Sequence, residues 1–345
     1  MLYWLVGLLL LIVGAECLVR GAVRLAVGLR VRPLIVGLSV VALGSSAPQL
    51  AVSLQATYAG TPDMALGSVM GGNTFSLLVT LGLCALVIPL RVSRLLVRLD
   101  IPLMVGASLL VFVLALNGHL ERLDGLILLA ALGVYVTLLW RQSRDHGRTW
   151  PTHSQPMAWP ACVALMGVGV ALLACGGNLL LEAAVEVALD LGLSDRVIGL
   201  SIIAASASLP ALATSLMAAV RGERDIAAGN VIGSTLFNLL GVLGLTALLA
   251  PAPLSVSPNA LAFDLPVMLG AAALCLPLFY SGNRLTRVEG LILLGLYLAY
   301  GLHVVTFATG QPLADTVEQG VLFYVLPPLL LFVLFNSWRT WRRQH

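Results

Sequence analysis

The chain is built from apolar runs too long and too numerous for a water-soluble fold. Stretches near 2–19, 33–59, 64–89, 99–117, 121–140, 158–181, 195–220, 226–250, 262–280, 286–306 and 319–337 each approach or exceed the roughly 20 residues that a helix needs to cross a bilayer. Eleven such runs in 345 residues leave room only for short loops. Apolar residues make up 59% of the chain and charged residues 10%, whereas a soluble domain carries about a quarter charged. That balance excludes a soluble enzyme, a disordered chain and a nucleic-acid binder. The predicted class is an all-α polytopic membrane protein, with the N-terminal stretch read as a first span and not as a cleaved leader.

The few charges are ordered. All 19 basic residues are arginines, and 17 of them fall in alternate loops. Arg20, Arg24, Arg30 and Arg32 follow the first span; Arg91, Arg94 and Arg98 the third; Arg141, Arg144 and Arg148 the fifth. Arg221 and Arg224 follow the seventh, Arg284 and Arg287 the ninth, and Arg339, Arg342 and Arg343 the eleventh. The remaining loops hold only Arg122 and Arg196. Arginine-rich loops stay in the cytoplasm, so the N-terminus is predicted outside and the C-terminus inside.

The chain also repeats itself. Residues 37–83 and 199–245 align at a constant shift of 162 with 23 of 47 positions identical. The match resumes at Asp100–Pro102 against Asp264–Pro266 and at Arg122–Leu129 against Arg287–Leu294. Each copy holds five spans. Five is odd, so the second copy is predicted to cross the membrane in the opposite sense, the arrangement of secondary transporters that bind substrate where the copies meet. The predicted organisation is a first five-helix repeat over 1–148, a cytoplasmic linker over 149–157, a second repeat over 158–306, and an added helix with a basic tail over 307–345.

The densest polar residues sit inside the duplicated segment. Gly44, Ser45, Ser46, Pro48 and Gln49 lie midway along span 2, and Ser206, Ser208 and Pro210 stand in the matching place in span 7. A proline inside a helix removes one backbone hydrogen bond, so Pro48 and Pro210 are predicted helix breaks. In lipid, freed carbonyls are tolerated only where they face protein or a watery cavity. The following spans carry Gly71, Gly72, Asn73 and Ser76 in one copy and Gly233, Ser234 and Asn238 in the other. Small residues alone would also serve tight helix packing; it is the paired polar clusters in an inverted duplication that point to a site. Asp100 and Asp264, each two residues before a proline, read as helix N-caps. Glu16 reads as a residue near a helix end, and Glu182 and Glu186 as residues of the outer surface.

Other chemistry finds little support. Cys17, Cys84, Cys162, Cys175 and Cys275 form no CxxC spacing, and the five histidines have no ligand spacing. No GxSxG, HExxH or Walker motif occurs, which speaks against a hydrolase or an ATP-driven pump.

The two segments, with Asp63–Gly67 and Asp225–Gly229, resemble the α-repeats of the calcium/cation antiporter superfamily, the sodium/calcium exchangers. Their consensus runs GTSLPE and then D-I-A-x-G-N-V-x-G-S-N-x-F-N. The resemblance implies a core of ten helices in two inverted halves, with span 11 an addition, and alternating access as spans 1 and 6 slide past the rest. It implies a cation site on Ser45, Ser46, Gln49, Asn73, Ser76, Ser206, Ser208, Ser234 and Asn238. Direct metal contacts would come from Ser45, Gln49, Ser76, Ser208, Ser234 and Asn238.

At the family's two glutamate positions this chain has Gln49 and Ala211, and at its two threonine positions Ser45 and Ala207; Gly72 replaces a serine. The idealised penalty for burying one elementary charge is on the order of 20 kcal/mol. It grows with the square of the charge, so a neutral site disfavours Ca²⁺ far more than Na⁺. The expectation is therefore a non-enzymatic cation antiporter of monovalent selectivity, multi-pass in a plasma membrane of the bacterial inner-membrane type. It needs no cofactor; its partners are the lipid bilayer and transported inorganic cations (Na⁺, with Ca²⁺ or H⁺ as further candidates), and no nucleic acid. Two other readings stand beside it: a degenerate transporter fold acting as a scaffold, and a proton-coupled carrier of another solute using the space at Ala207 and Ala211.

Overall fold

The computed structural model describes residues 2–29, 31, 33–144, 158–190, 204–280 and 282–308. Among the described residues ten long helices form the body: α1 (Leu2–Leu29), α2 (Leu34–Tyr58), α3 (Pro62–Val87), α4 (Leu96–Ala115), α5 (Arg122–Arg144), α6 (Trp159–Asp190), α7 (Leu209–Val220), α8 (Arg224–Leu249), α9 (Ala260–Tyr280) and α10 (Arg287–Ala308). Among the described residues all but α7 are long and apolar enough to cross a membrane. The linker at 149–157 and the eleventh span at 319–337 lie outside the described residues, as does the first part of span 7.

Polarity and depth run opposite to a soluble protein. The motif-bearing helices α3 and α8 are the most enclosed, with 83% and 89% of their most apolar stretch buried, against 22% for α5 and α10. Over Ala42–Tyr58 of α2 the buried face is Ala42, Ser45, Ser46, Gln49, Ser53 and Thr57, a polar stripe at helical spacing turned inward. Leu43 and Val40 face out instead.

Helices α1 and α6 cross antiparallel along a seam of small residues. Gly7 lies against Gly176 and Leu180, Gly14 against Gly169 and Leu173, and Gly21 against Cys162 and Met166. The seam residues recur every seven positions on both helices, and without side chains the two backbones come within direct contact. Contacts elsewhere repeat with the copies exchanged: Gly82 of α3 meets Gly290 of α10, while Gly244 of α8 meets Gly125 of α5. Two short antiparallel pairings follow the same exchange. β1 (Leu90–Arg91) pairs with β4 (Arg284–Leu285), and β2 (His119–Leu120) with β3 (Leu254–Ser255). The tight turns entering α3 and α8 use Gly60 and Gly222, both at φ +81°, where a side chain would be strained.

Wide π-helical turns occur in matching places, at Ser76–Thr80 and Phe237–Val242, and at Leu96–Asp100 and Ala260–Asp264. Two expectations are corrected here. Asp100 and Asp264 are not N-caps: each ends a π turn inside its helix, and Asp100 makes no capping bond. Pro48 does not break α2, which continues through it. Packing against neighbouring helices supports such a helix despite the missing bond. Only the second copy is interrupted, at Ser208, between the turn Ala204–Ala207 and α7.

Candidate functional site

Four helices, α2, α3, α7 and α8, bring the polar residues of both copies to one place. The approach of α2 to α8 is set by missing side chains. A Cβ on Gly233 would stand 2.6 Å from the Leu38 carbonyl oxygen, and one on Gly37 would stand 3.0 Å from the Ile226 backbone. That closeness lets the Ser45 hydroxyl donate to Asn230 Oδ1 at 2.9 Å. It also lets the Ser46 hydroxyl reach the Ser234 carbonyl at 3.5 Å. Asn230 in turn donates through Nδ2 to Ser215 Oγ at 2.8 Å and to the Ala211 carbonyl at 3.3 Å.

In the other half, Gln49 Nε2 donates to Ser68 Oγ at 2.9 Å, and Ser68 donates to the Ala65 carbonyl. The Ser208 hydroxyl crosses to the Gly72 carbonyl of α3 at 3.1 Å. At the α3–α8 crossing Asn238 Nδ2 donates to Asn73 Oδ1 at 2.9 Å, and Asn73 Nδ2 faces Met268 Sδ at 4.0 Å. Ser76 and Ser234 are buried on these helices, Ser76 opening its π turn. Ser206 lines a small cleft with Pro48, Val52, Gly177, Asn178 and Pro210, so the two prolines of the duplicated motif do face one another across it.

The nine residues predicted for the site are all buried on these four helices or in the turn before α7. Gln49 Oε1 and Asn238 Oδ1, one from each copy, are buried without a hydrogen-bond partner. A buried acceptor left without a partner is costly, and a donor, a water or a cation would complete it. The predicted set omitted Asn230, Ser68 and Ser215, which carry the network. Asn230 and Ser68 occupy the same place in the two copies, 162 residues apart, and that correspondence was available as a signal. No Asp or Glu among the described residues joins the network, and none of them form a metal-holding cluster with His or Cys. Such a site offers amide, hydroxyl and carbonyl oxygens: hard, neutral ligands suited to alkali cations.

The chain matches the model of the sodium/calcium exchanger protein family over residues 1–141 and 162–306. It is 37% identical over 310 residues to the CaxA protein of Alkalimonas amylolytica, covering 87% of this chain and 96% of that one. It is 36% identical over 274 residues to the inner membrane protein YrbG of Escherichia coli, covering 77% and 84%. Among solved structures, the sodium-calcium exchanger NCX_Mj soaked with Na⁺ and Sr²⁺ superposes with a TM-score of 0.74 at 27% identity, covering 89% of this chain and 97% of that one.

Proposed function

This chain belongs to the sodium/calcium exchanger family, and on that premise we propose that it is a secondary cation antiporter whose neutral central site favours a monovalent cation. The observation that carries the reading is an unpartnered buried oxygen on each of Gln49 and Asn238, one from each copy, in a network without a carboxylate. A cation entering there exchanges water for protein oxygens. One positive charge is compensated by dipoles far more readily than two. Calcium sites gain affinity through ligand charge, and Gln49 and Ala211 withhold it. The glycine seam holds α1 and α6 together as one unit, which would slide past the other helices to open the site to either side. The location that fits a multi-pass relative of an inner membrane protein is the bacterial inner membrane.

The test is flux in proteoliposomes. ²²Na⁺ or ⁸⁶Rb⁺ exchange is expected, with ⁴⁵Ca²⁺ uptake on a Na⁺ gradient weak or absent. Robust Na⁺-driven ⁴⁵Ca²⁺ uptake would overturn the monovalent reading. Cation flux equal in the wild type and in a Gln49→Ala/Asn238→Ala double variant would overturn the assignment of the site.

A further inference from the structure

A buried neutral site raises the question of what balances an arriving cation. The answer lies outside the site, in a carboxyl that the network does not use. Asp100 of α4 is fully buried, and neither of its oxygens has a hydrogen-bond partner on another described residue. Tyr135 of α5 stands in electrostatic reach of it, and its hydroxyl is also buried without a partner. The second copy repeats the pair: the Tyr300 hydroxyl donates to Asp264 Oδ1 at 3.0 Å. An ionised carboxylate with no partner is not sustained inside a membrane, whereas a protonated one carries no charge and holds a proton it can release.

The pair is also wired to the site. The Tyr135 ring packs edge-on against Phe237, centroids 6.4 Å apart, and Phe237 opens the π turn that holds Asn238. In the other copy the link runs through one more ring, with Tyr300 against Tyr297, and Tyr297 edge-on to Phe75 at 5.4 Å, next to Ser76.

We propose that Asp100, with Tyr135 beside it, is a proton-binding site within the membrane whose occupancy sets the affinity of the central site for its cation. When the cation enters, Asp100 gives up its proton to water at the N-terminal end of α4, one turn away. The interior then exchanges one positive charge for another. The other titratable groups on elements packed against α4 are Arg224 and Asp225 of α8, Asp264, Cys275 and Tyr280 of α9, and His119 of β2, with Arg98 on α4 itself. Ionised Asp100 attracts the cation, so affinity rises with pH, by up to about tenfold per unit for one coupled proton.

The coupling rests on the antiporter reading; the proton site itself does not. Infrared spectra of the purified full chain are expected to contain a protonated-carboxyl band lost in Asp100→Asn and shifted in Tyr135→Phe. A band unchanged in Asp100→Asn overturns the proton site. ²²Na⁺ binding to the purified protein is expected to strengthen with pH in the wild type and to become pH-independent in Asp100→Asn, which imitates the protonated acid. The same pH profile in both overturns the coupling. Should Asp100→Asn fail to fold, Asp100→Glu is expected to retain the band at a shifted frequency and keep the pH dependence, and losing both overturns the proposal. Absence of cation binding by the wild type at every pH would defeat the antiporter reading, and the infrared result would still decide the proton site.

Discussion

Gln49 differs from a glutamate by one nitrogen, and that nitrogen sets the charge of the site. Nε2 donates to Ser68 while Oε1 is left over. Gln49→Glu keeps the volume, turns the donor into an acceptor and adds one negative charge where two copies of the motif meet. Ca²⁺ is then expected to compete with ²²Na⁺ at least about tenfold more effectively, a change that needs only ~1.4 kcal/mol of the added attraction. Competition curves on purified wild type and variant measure this directly. Asn238→Ala removes both the donor to Asn73 and the orphan oxygen, and is expected to lower flux with little loss of thermal stability. Glu223, between α7 and α8, carries a further consequence. Burial, then the nearby Asp225, raise its carboxyl above the usual range, against a lowering by Arg221. Because the folded state holds this proton more tightly, its contribution to stability is present at low pH and is lost as pH rises through the raised value. The melting temperature in detergent is expected to fall less over that window in Glu223→Gln.

At the scale of elements, the seam between α1 and α6 was written in the sequence as Gly7, Gly14 and Gly21 against Cys162, Gly169 and Gly176, yet periodicity alone could not read it. In a chain where most neighbours are apolar, lipid-facing and helix-facing sides look alike, and only the crossing partner distinguishes them. The apolar runs, the two copies and the polar clusters were legible, because each is a property of composition or of self-comparison. Pro48 was misread for a related reason. A proline removes a bond locally, but whether the helix breaks depends on support from neighbours, and α2 stays whole where the second copy opens at Ser208. The π turns left no sequence signal beyond their recurrence in the two copies. The seam leads to a specific expectation. A Cβ on Gly169 would lie 2.7 Å from the Leu18 backbone nitrogen and 2.8 Å from the Gly14 carbonyl oxygen, so Gly169→Ala forces the helices apart. Flux is expected to fall at least about tenfold while Gly167→Ala, which meets nothing within 4 Å, leaves it unchanged; equal flux in the two would show that the seam is not a working surface.

For the whole molecule, the contacts between copies bear on how those copies are oriented. Leu90 and Leu254 are equivalent positions, as are Leu120 and Leu285. Copies of like orientation would place each equivalent pair on one face of the membrane. The observed pairings instead join Leu90 to Leu285 and Leu120 to Leu254, exchanging the copies. The arginine count independently assigns the loops at 90–91 and 284–285 to the cytoplasm, and those at 119–120 and 254–255 to the outside. The strand pairing in the fold thus agrees with the inversion expected from the loop charges. Arg91, Arg284, His119 and Ser255 are exposed, so single cysteines at these sites in a cysteine-free background can be reached by an impermeant maleimide. Arg91→Cys and Arg284→Cys are expected to react only from the cytoplasmic face, and His119→Cys and Ser255→Cys only from the opposite one. If Arg91→Cys and Ser255→Cys reacted from the same face, the copies would run parallel, and a site shared between inverted halves would have no geometric basis.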